Sequence, residues 1–249
     1  VLADLDKRVL RTGSSRRRRI IQRWDALTLH SKVTLATTAA LLALGTIVLG
    51  ILEWANPATF GPMGVADKAL NSVFASVSPR TAGFNTVVVG DMHPASLLVT
   101  VTLMFIGAGS AGTSGGIKVG TFSILAMVIW SEVRGEREPT GFRRRIPAAT
   151  QRQAITVALL AVALVVSGTV GLLVSRDTEI GEALFETVSA FGTVGLSTGV
   201  TPSLNAWDDL VLMALMLIGR VGPITLGAAL VLRRRPTVSR VPEEAPLIG

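Results

Sequence analysis

Two uncharged, mostly apolar stretches, residues 33–52 and 154–174, constrain this 249-residue chain more than any other feature. About 20 such residues form a helix that crosses the roughly 30 Å hydrocarbon core of a bilayer. Composition points the same way. Only 16% of the residues are charged, where a soluble domain carries about 25%, and the mean hydropathy is +0.54. Both figures argue against a soluble globular enzyme. There is no cysteine and there are only two histidines, His30 and His93, which removes disulfide scaffolds, thiolate metal sites and cysteine nucleophiles. The net charge of +7 would suit a nucleic-acid binder, but its distribution does not. Of 24 Lys and Arg, nine lie in 1–34, six in 131–152 and four in 233–240. Basic clusters separated by long apolar stretches are the signature of cytoplasmic loops in an all-α integral membrane protein.

Other apolar segments depart from a simple span. Residues 210–232 are long enough but contain Gly219, Arg220, Gly222 and Pro223. Residues 95–130 are apolar at both ends and interrupted by ten small residues, 107–116, so the halves 95–106 and 117–130 are each too short to cross. Two further stretches, about 66–77 and 181–190, are also too short, and each runs into a Gly-containing polar stretch. Re-entrant half-helices read this way; so do interfacial helices and ordinary outer loops.

An internal repeat favours the re-entrant reading. Thr81-Ala-Gly-Phe84 and Thr193-Val-Gly-Leu196 lie 112 residues apart, and so do Leu103-Met-Phe-Ile-Gly107 and Leu215-Met-Leu-Ile-Gly219. The chain thus holds two copies of one unit: spanning helix, short half-helix, Thr-x-Gly turn, spanning helix. The expected organisation is a cytoplasmic basic linker (1–32), a first unit with a broken second helix (33–130), a cytoplasmic basic loop (131–153), a second unit (154–232) and a cytoplasmic tail (233–249). The chain opens on Val1 and a charged stretch with no signal-peptide pattern; we read it as the later part of a longer polypeptide. The outer loops carry Asp67, Asp91, Asp177, Glu179, Asp208 and Asp209 against Lys68 and Arg176, an acidic mouth that would mildly concentrate cations.

Non-helical backbone at membrane depth is tolerated where protein buries it or where it lines a watery cavity. A Thr-x-Gly turn after a half-helix presents carbonyls that can replace the hydration shell of an ion, and the C-terminal dipole of the half-helix points negative charge at the same place.

Four motifs carry a family resemblance: Ser78-Pro-Arg-Thr-Ala-Gly-Phe-Asn-Thr86, Gly109-Ser-Ala-Gly-Thr-Ser-Gly-Gly-Ile-Lys118, Phe185-Glu-Thr-Val-Ser-Ala-Phe-Gly-Thr-Val-Gly-Leu-Ser-Thr198 and Ile218-Gly-Arg-Val-Gly-Pro223. Over about 30–233 the chain resembles the Trk/Ktr/HKT potassium transporters, most closely the bacterial Ktr membrane subunit. The resemblance implies channel-like potassium uptake through a pore of four helix–half-helix–helix repeats around one axis. This chain shows two, matching the third and fourth. Carried over by motif, the filter carbonyls belong to Thr81, Ala82, Gly83, Thr193, Val194 and Gly195. The gate is the intramembrane loop with Gly107, Gly109, Gly112, Gly115 and Gly116, together with Arg220, which opposes cation dwell beneath the filter or anchors the loop. The resemblance also implies a homodimer of the complete subunit, a cytosolic nucleotide-binding regulatory ring, potassium as substrate and sodium as a coupling or activating ion, with no cofactor in this chain.

Other residues have simpler readings. Asn85 and Glu186 support the filter, with proton coupling an alternative for Glu186. Arg80 makes a structural ion pair or bonds outer-loop carbonyls. Lys118 reaches solvent. Close helix packing is the alternative for the glycines, and a structural bond to loop carbonyls is a compatible reading of Arg220. No nucleophile–base constellation or phosphate-binding loop is present, so the chain reads as a non-enzyme. A secondary carrier of a small solute, with a midplane site made by broken helices, is the second functional reading, although carriers usually show inverted rather than parallel repeats. A membrane-tethered nucleic-acid adaptor is the third, and the split Arg clusters argue against it.

Overall fold

The structure, a computed structural model, describes residues 27–109, 114–136, 139–141, 144–175 and 178–222. Seven α-helices are formed there: α1 Leu29–Glu53, α2 Val65–Val77, α3 Pro94–Phe105, α4 Val119–Val133, α5 Ala148–Ser175, α6 Ile180–Phe191 and α7 Ala206–Val221. Among the described residues the β-structure is one two-residue hairpin, Thr140–Gly141 with Arg144–Arg145, inside the basic loop.

α1 and α5 have 25 and 28 residues, roughly 37 and 42 Å at 1.5 Å per residue, and both are apolar enough to cross a membrane. Leu44, Ile47 and Ile51 on α1, and Leu159, Val166 and Val170 on α5, are exposed. Such continuous apolar faces suit lipid or another protein surface, not water. α2 and α6, with 13 and 12 residues, are too short to span. The expected span at 210–232 appears as α7, which ends at Val221 where Gly222 adopts φ +86°; residues from 223 onward lie outside the described residues, as do Gly112 and the basic linker up to residue 26.

Two of the helices, α1 and α7, begin where a side chain meets their free N–H groups. Thr28 caps α1 by accepting from the Ser31 amide at 3.3 Å. α7 opens on a reciprocal capping box: Asn205 Oδ1 accepts from the amides of Trp207 and Asp208 at 2.9 and 3.0 Å, and Asp208 Oδ2 accepts from the Asn205 amide at 3.2 Å. Asp208 is fully buried, so it closes a helix end instead of charging an outer mouth. α3 starts with Pro94 at its first turn. The amide of the preceding His93 donates to Glu53 Oε1 at 2.9 Å, and Glu53 Oε2 accepts from Asn56 Nδ2 at 2.7 Å and Thr59 Oγ1 at 2.5 Å. This fully buried carboxylate ties the end of α1 to the start of α3.

The two short helices sit differently. α6 packs against α3, α5 and α7, and every residue from Phe185 to Phe191 is buried. α2 packs chiefly on α1, where the Ser76 hydroxyl donates to the Leu42 carbonyl at 2.9 Å; its other side, with Leu70, Val73 and Val77, stays exposed. One core joins both units: Leu49, Leu103 and Met104 of the first and Ala161, Val165, Phe185 and Phe191 of the second belong to a single buried cluster. Phe105 and Phe191 bring their rings to 6.1 Å.

Candidate functional site: the paired Thr-x-Gly turns

α2 and α6 both end in a turn that the helix itself holds. In the first, the amides of Ala82 and Gly83 donate to the Ser78 carbonyl at 3.1 and 3.2 Å; in the second, the Thr193 and Val194 amides donate to the carbonyls of Ala190 and Ser189 at 3.0 and 2.9 Å. A serine hydroxyl at each helix end then reaches over the turn. Ser78 donates to the Phe84 carbonyl, and Ser189 donates to the Leu196 carbonyl at 2.6 Å. The acceptors are equivalent under the 112-residue repeat, but the serines are one position out of register. Motif comparison therefore does not find them.

The backbone of the turns is unusual and matched. Thr81 has φ +69° and Thr193 φ +50°; among the described residues they are the only non-glycine residues with positive φ. For a β-branched residue this conformation is an outlier that costs roughly 1–3 kcal/mol and persists only where the surroundings impose it. Gly83 and Gly195, two positions on, have φ +73° and +92°, whereas Ala82 and Val194 between them are not in the left-handed region.

The turns also touch. A Cβ built on Gly83 would run into the Val194 carbonyl oxygen and come within 3.5 Å of the Gly195 Cα. Leu196 shares a small cavity with Ser78, Phe84 and Thr86 of the first turn. The same construction on Gly195 meets no described atom within 4 Å, so this turn has an open side.

The interrupted stretch between α3 and α4 lies against both turns. Its legs run side by side: Ile106 and Ile117 form a parallel bridge, Gly107 N donates to Ile117 O at 2.9 Å and Val119 N to Ala108 O at 3.2 Å. The two described legs thereby meet some of their backbone polar groups with one another. Thr81 Oγ1 donates to Ser114 Oγ at 2.9 Å, and a Cβ on Gly115 would come within 2.6 Å of Thr193 Oγ1 and 2.7 Å of the Gly192 carbonyl. Gly107 abuts Ser114 and Gly115, Gly109 faces Thr34 of α1, and Gly116 sits at φ +70°.

Glu186, 5% exposed, braces the chain that leaves the second turn. Its Oε1 accepts from Ser197 Oγ at 2.6 Å, Thr198 N at 3.0 Å and Thr198 Oγ1 at 3.3 Å, and its Oε2 accepts from Thr201 Oγ1 at 3.1 Å. Asn85, which corresponds to Ser197 under the 112-residue repeat, makes one side-chain bond, to the Val87 carbonyl at 2.9 Å. Two basic residues differ from expectation. Lys118 is half-buried and donates to the Ser114 carbonyl, folding back on the loop because its ammonium finds an acceptor there. The three guanidinium nitrogens of Arg80 are buried with no hydrogen-bond partner among the described residues. Arg220 is exposed at the end of α7.

Comparison with known proteins decides the family. The sequence profile of TrkH, described as a cation transport protein, matches residues 5–235. The chain belongs to the TrkH cation transport family. Its relatives include the Ktr system potassium uptake protein B of Bacillus subtilis, 39% identical over 204 residues that cover 82% of this chain and 46% of that protein. The protein of the same description in Vibrio alginolyticus is 36% identical over 223 residues, 90% of this chain and 49% of the relative. The potassium/sodium uptake protein NtpJ of Enterococcus hirae is 36% identical over 229 residues, 90% of this chain and 51% of the relative. The chain spans about half the length of these curated relatives, whose names are those of ion transporters and not enzymes. The fold matches the crystal structure of the potassium transporter TrkH from Vibrio parahaemolyticus with a TM-score of 0.60 at 19% identity, over 81% of this chain and 44% of that one. This chain is thus a helical member of a membrane transport family.

Proposed function

We propose that the chain forms half of a potassium-uptake pore in the cell membrane, and that its two turns each supply one strand of a carbonyl-lined filter. The observation that carries this reading is the pair of strained Thr-x-Gly turns, alike in the sign of φ at both positions and in contact with one another. Thr81, Ala82 and Gly83 face the ion path together with Thr193, Val194 and Gly195, and their carbonyls substitute for water around a bare monovalent cation. The half-helices α2 and α6 direct their negative C-terminal ends at the same point. The complete subunit has four such repeats. The open side of Gly195 and the exposed side of α2 are where the other two pack.

The gate is the loop that carries Gly107, Gly109, Gly112, Gly115 and Gly116, whose described legs lie against both turns. Arg220 and Lys118 set positive charge there, and Arg220 shortens cation dwell when the loop moves. The N-terminus, the basic loop and the C-terminus are cytoplasmic, consistent with their Arg clusters. The whole protein works as a homodimer on a cytosolic nucleotide-binding ring, with sodium as a coupling or activating ion; family resemblance supports the assembly, and the name of the Enterococcus hirae relative supports sodium.

Cation uptake in a potassium-auxotrophic host tests this. The full-length protein is expected to restore growth at low potassium, Gly195→Ser to fail, and Arg220→Ala to assemble normally while changing flux or half-saturation severalfold. If full-length wild-type protein does not restore growth, the transport reading is wrong; wild-type flux and affinity in Arg220→Ala would remove the role given to that residue.

A further inference from the structure

We infer that Ser114 is the latch by which the glycine-rich loop grips the filter, and that it does so through Thr81. The inference rests on the filter and gate assignments above and adds the residue that couples them. A serine hydroxyl has one proton to donate and two lone pairs to accept with. Ser114 is 5% exposed; its oxygen accepts from the Ala108 amide at 2.9 Å and donates to the Gly115 carbonyl at 3.1 Å. One lone pair remains, and Thr81 Oγ1 lies 2.9 Å away. Thr81 is therefore the donor. Its other acceptor, the Gly192 carbonyl, is at 3.4 Å, a much weaker alternative.

The loop thus fixes a proton on a threonine at the base of the filter. With its hydrogen committed to Ser114, Thr81 turns its lone pairs away from the loop, where they are free for a cation. The equivalent threonine is treated differently. Thr193 Oγ1 is buried with no hydrogen-bond partner among the described residues, because what faces it from the loop is the bare Cα of Gly115. Among the described residues, displacing the loop from the two turns breaks one side-chain hydrogen bond, at Thr81, and none at Thr193. Ser114 is a positioning residue: it acts on the ion through Thr81.

A double-mutant cycle separates this role from simple support of the loop. Potassium uptake is measured with full-length protein in liposomes for wild type, Ser114→Ala, Thr81→Val, the double variant, and Ser114→Ala with Thr81→Ser. Loss of one neutral hydrogen bond is expected to raise resting uptake about two- to tenfold for Ser114→Ala. The same factor is expected when Thr81→Ser preserves the hydroxyl, and no change when Thr81→Val has removed it. Amide hydrogen exchange of Gly107 and residues 115–117 in the same purified proteins gives a readout independent of flux, leaving out the Ala108 amide that Ser114 itself accepts from. It is expected to quicken in either single variant and to quicken no further in the double. If Ser114→Ala has the same effect on exchange with and without the Thr81 hydroxyl, or none at all, the latch is overturned. Absence of potassium uptake by wild type would instead reject the transport reading, while the exchange cycle still decides the latch.

Discussion

Gly83→Ala in the full-length protein is expected to lose potassium uptake at least thirtyfold. Two costs combine at this one atom. The residue holds φ +73°, where a Cβ costs roughly 1–2 kcal/mol. The new methyl would also overlap the Val194 carbonyl oxygen, and relieving such overpacking costs about 1–3 kcal/mol. The sum, about 2–5 kcal/mol, corresponds to between roughly thirty- and several-thousandfold at about 1.4 kcal/mol per factor of ten. The collision partner decides the outcome: it is backbone, and the backbone of the opposite turn, so the strands must separate to make room. Gly181→Ala is the matched control. Gly181 lies in the first turn of α6 without a positive φ, and a Cβ added there would meet no described atom within 4 Å, so uptake should stay within about twofold of wild type. Initial rates of rubidium uptake, corrected for protein in the membrane, measure both. Equal rates for the two variants would mean that the turns do not share a path.

Glu186→Ala is expected to reduce uptake by at least an order of magnitude and Glu186→Gln by only a fewfold. The carboxylate accepts four hydrogen bonds from the segment that follows the second turn. Bonds to a charged acceptor are worth about 1.5–3 kcal/mol each, and removing the acceptor leaves buried donors unmet. Alanine therefore releases Ser197, Thr198 and Thr201 together, and the strand that continues from Gly195 loses its backing. Glutamine keeps a carbonyl oxygen for the three donors that share Oε1, and its amide can donate to the Thr201 hydroxyl. The pair of variants separates bracing from proton coupling. A titrating carboxylate cannot be replaced by an amide, so a coupling role would make Glu186→Gln as damaging as Glu186→Ala. Uptake rates of the two variants at fixed external pH give the comparison.

The elements that set this architecture are readable in the sequence because they follow from local pattern. The short apolar stretches at about 66–77 and 181–190 before Thr-x-Gly cannot span a bilayer, and helices α2 and α6 stand there. Ten small residues cannot sustain a helix, and the chain from Ile106 to Lys118 is not helical where it is described. What pattern does not carry is pairing across the chain. Glu53 reads as the polar end of a span, yet it is fully buried because the start of α3, 40 residues later, brings it an amide donor. Ser78 and Ser189 close equivalent turns from non-equivalent positions, so the repeat conceals them. Ser114 sits inside a motif whose glycines draw attention, and the approach of Thr81 from 33 residues away gives its hydroxyl a role beyond its own loop. Lys118 reads as a solvent-seeking cation; a free carbonyl at Ser114 holds it instead.

Crystals of the full-length protein grown in thallium test the central claim most directly, since thallium replaces potassium and its anomalous signal locates it. The account predicts density on a line between the two turns, ligated by carbonyls of Thr81–Gly83 and Thr193–Gly195 with no charged side chain in contact. Thallium bound elsewhere, with these carbonyls turned into protein or facing lipid, would contradict it.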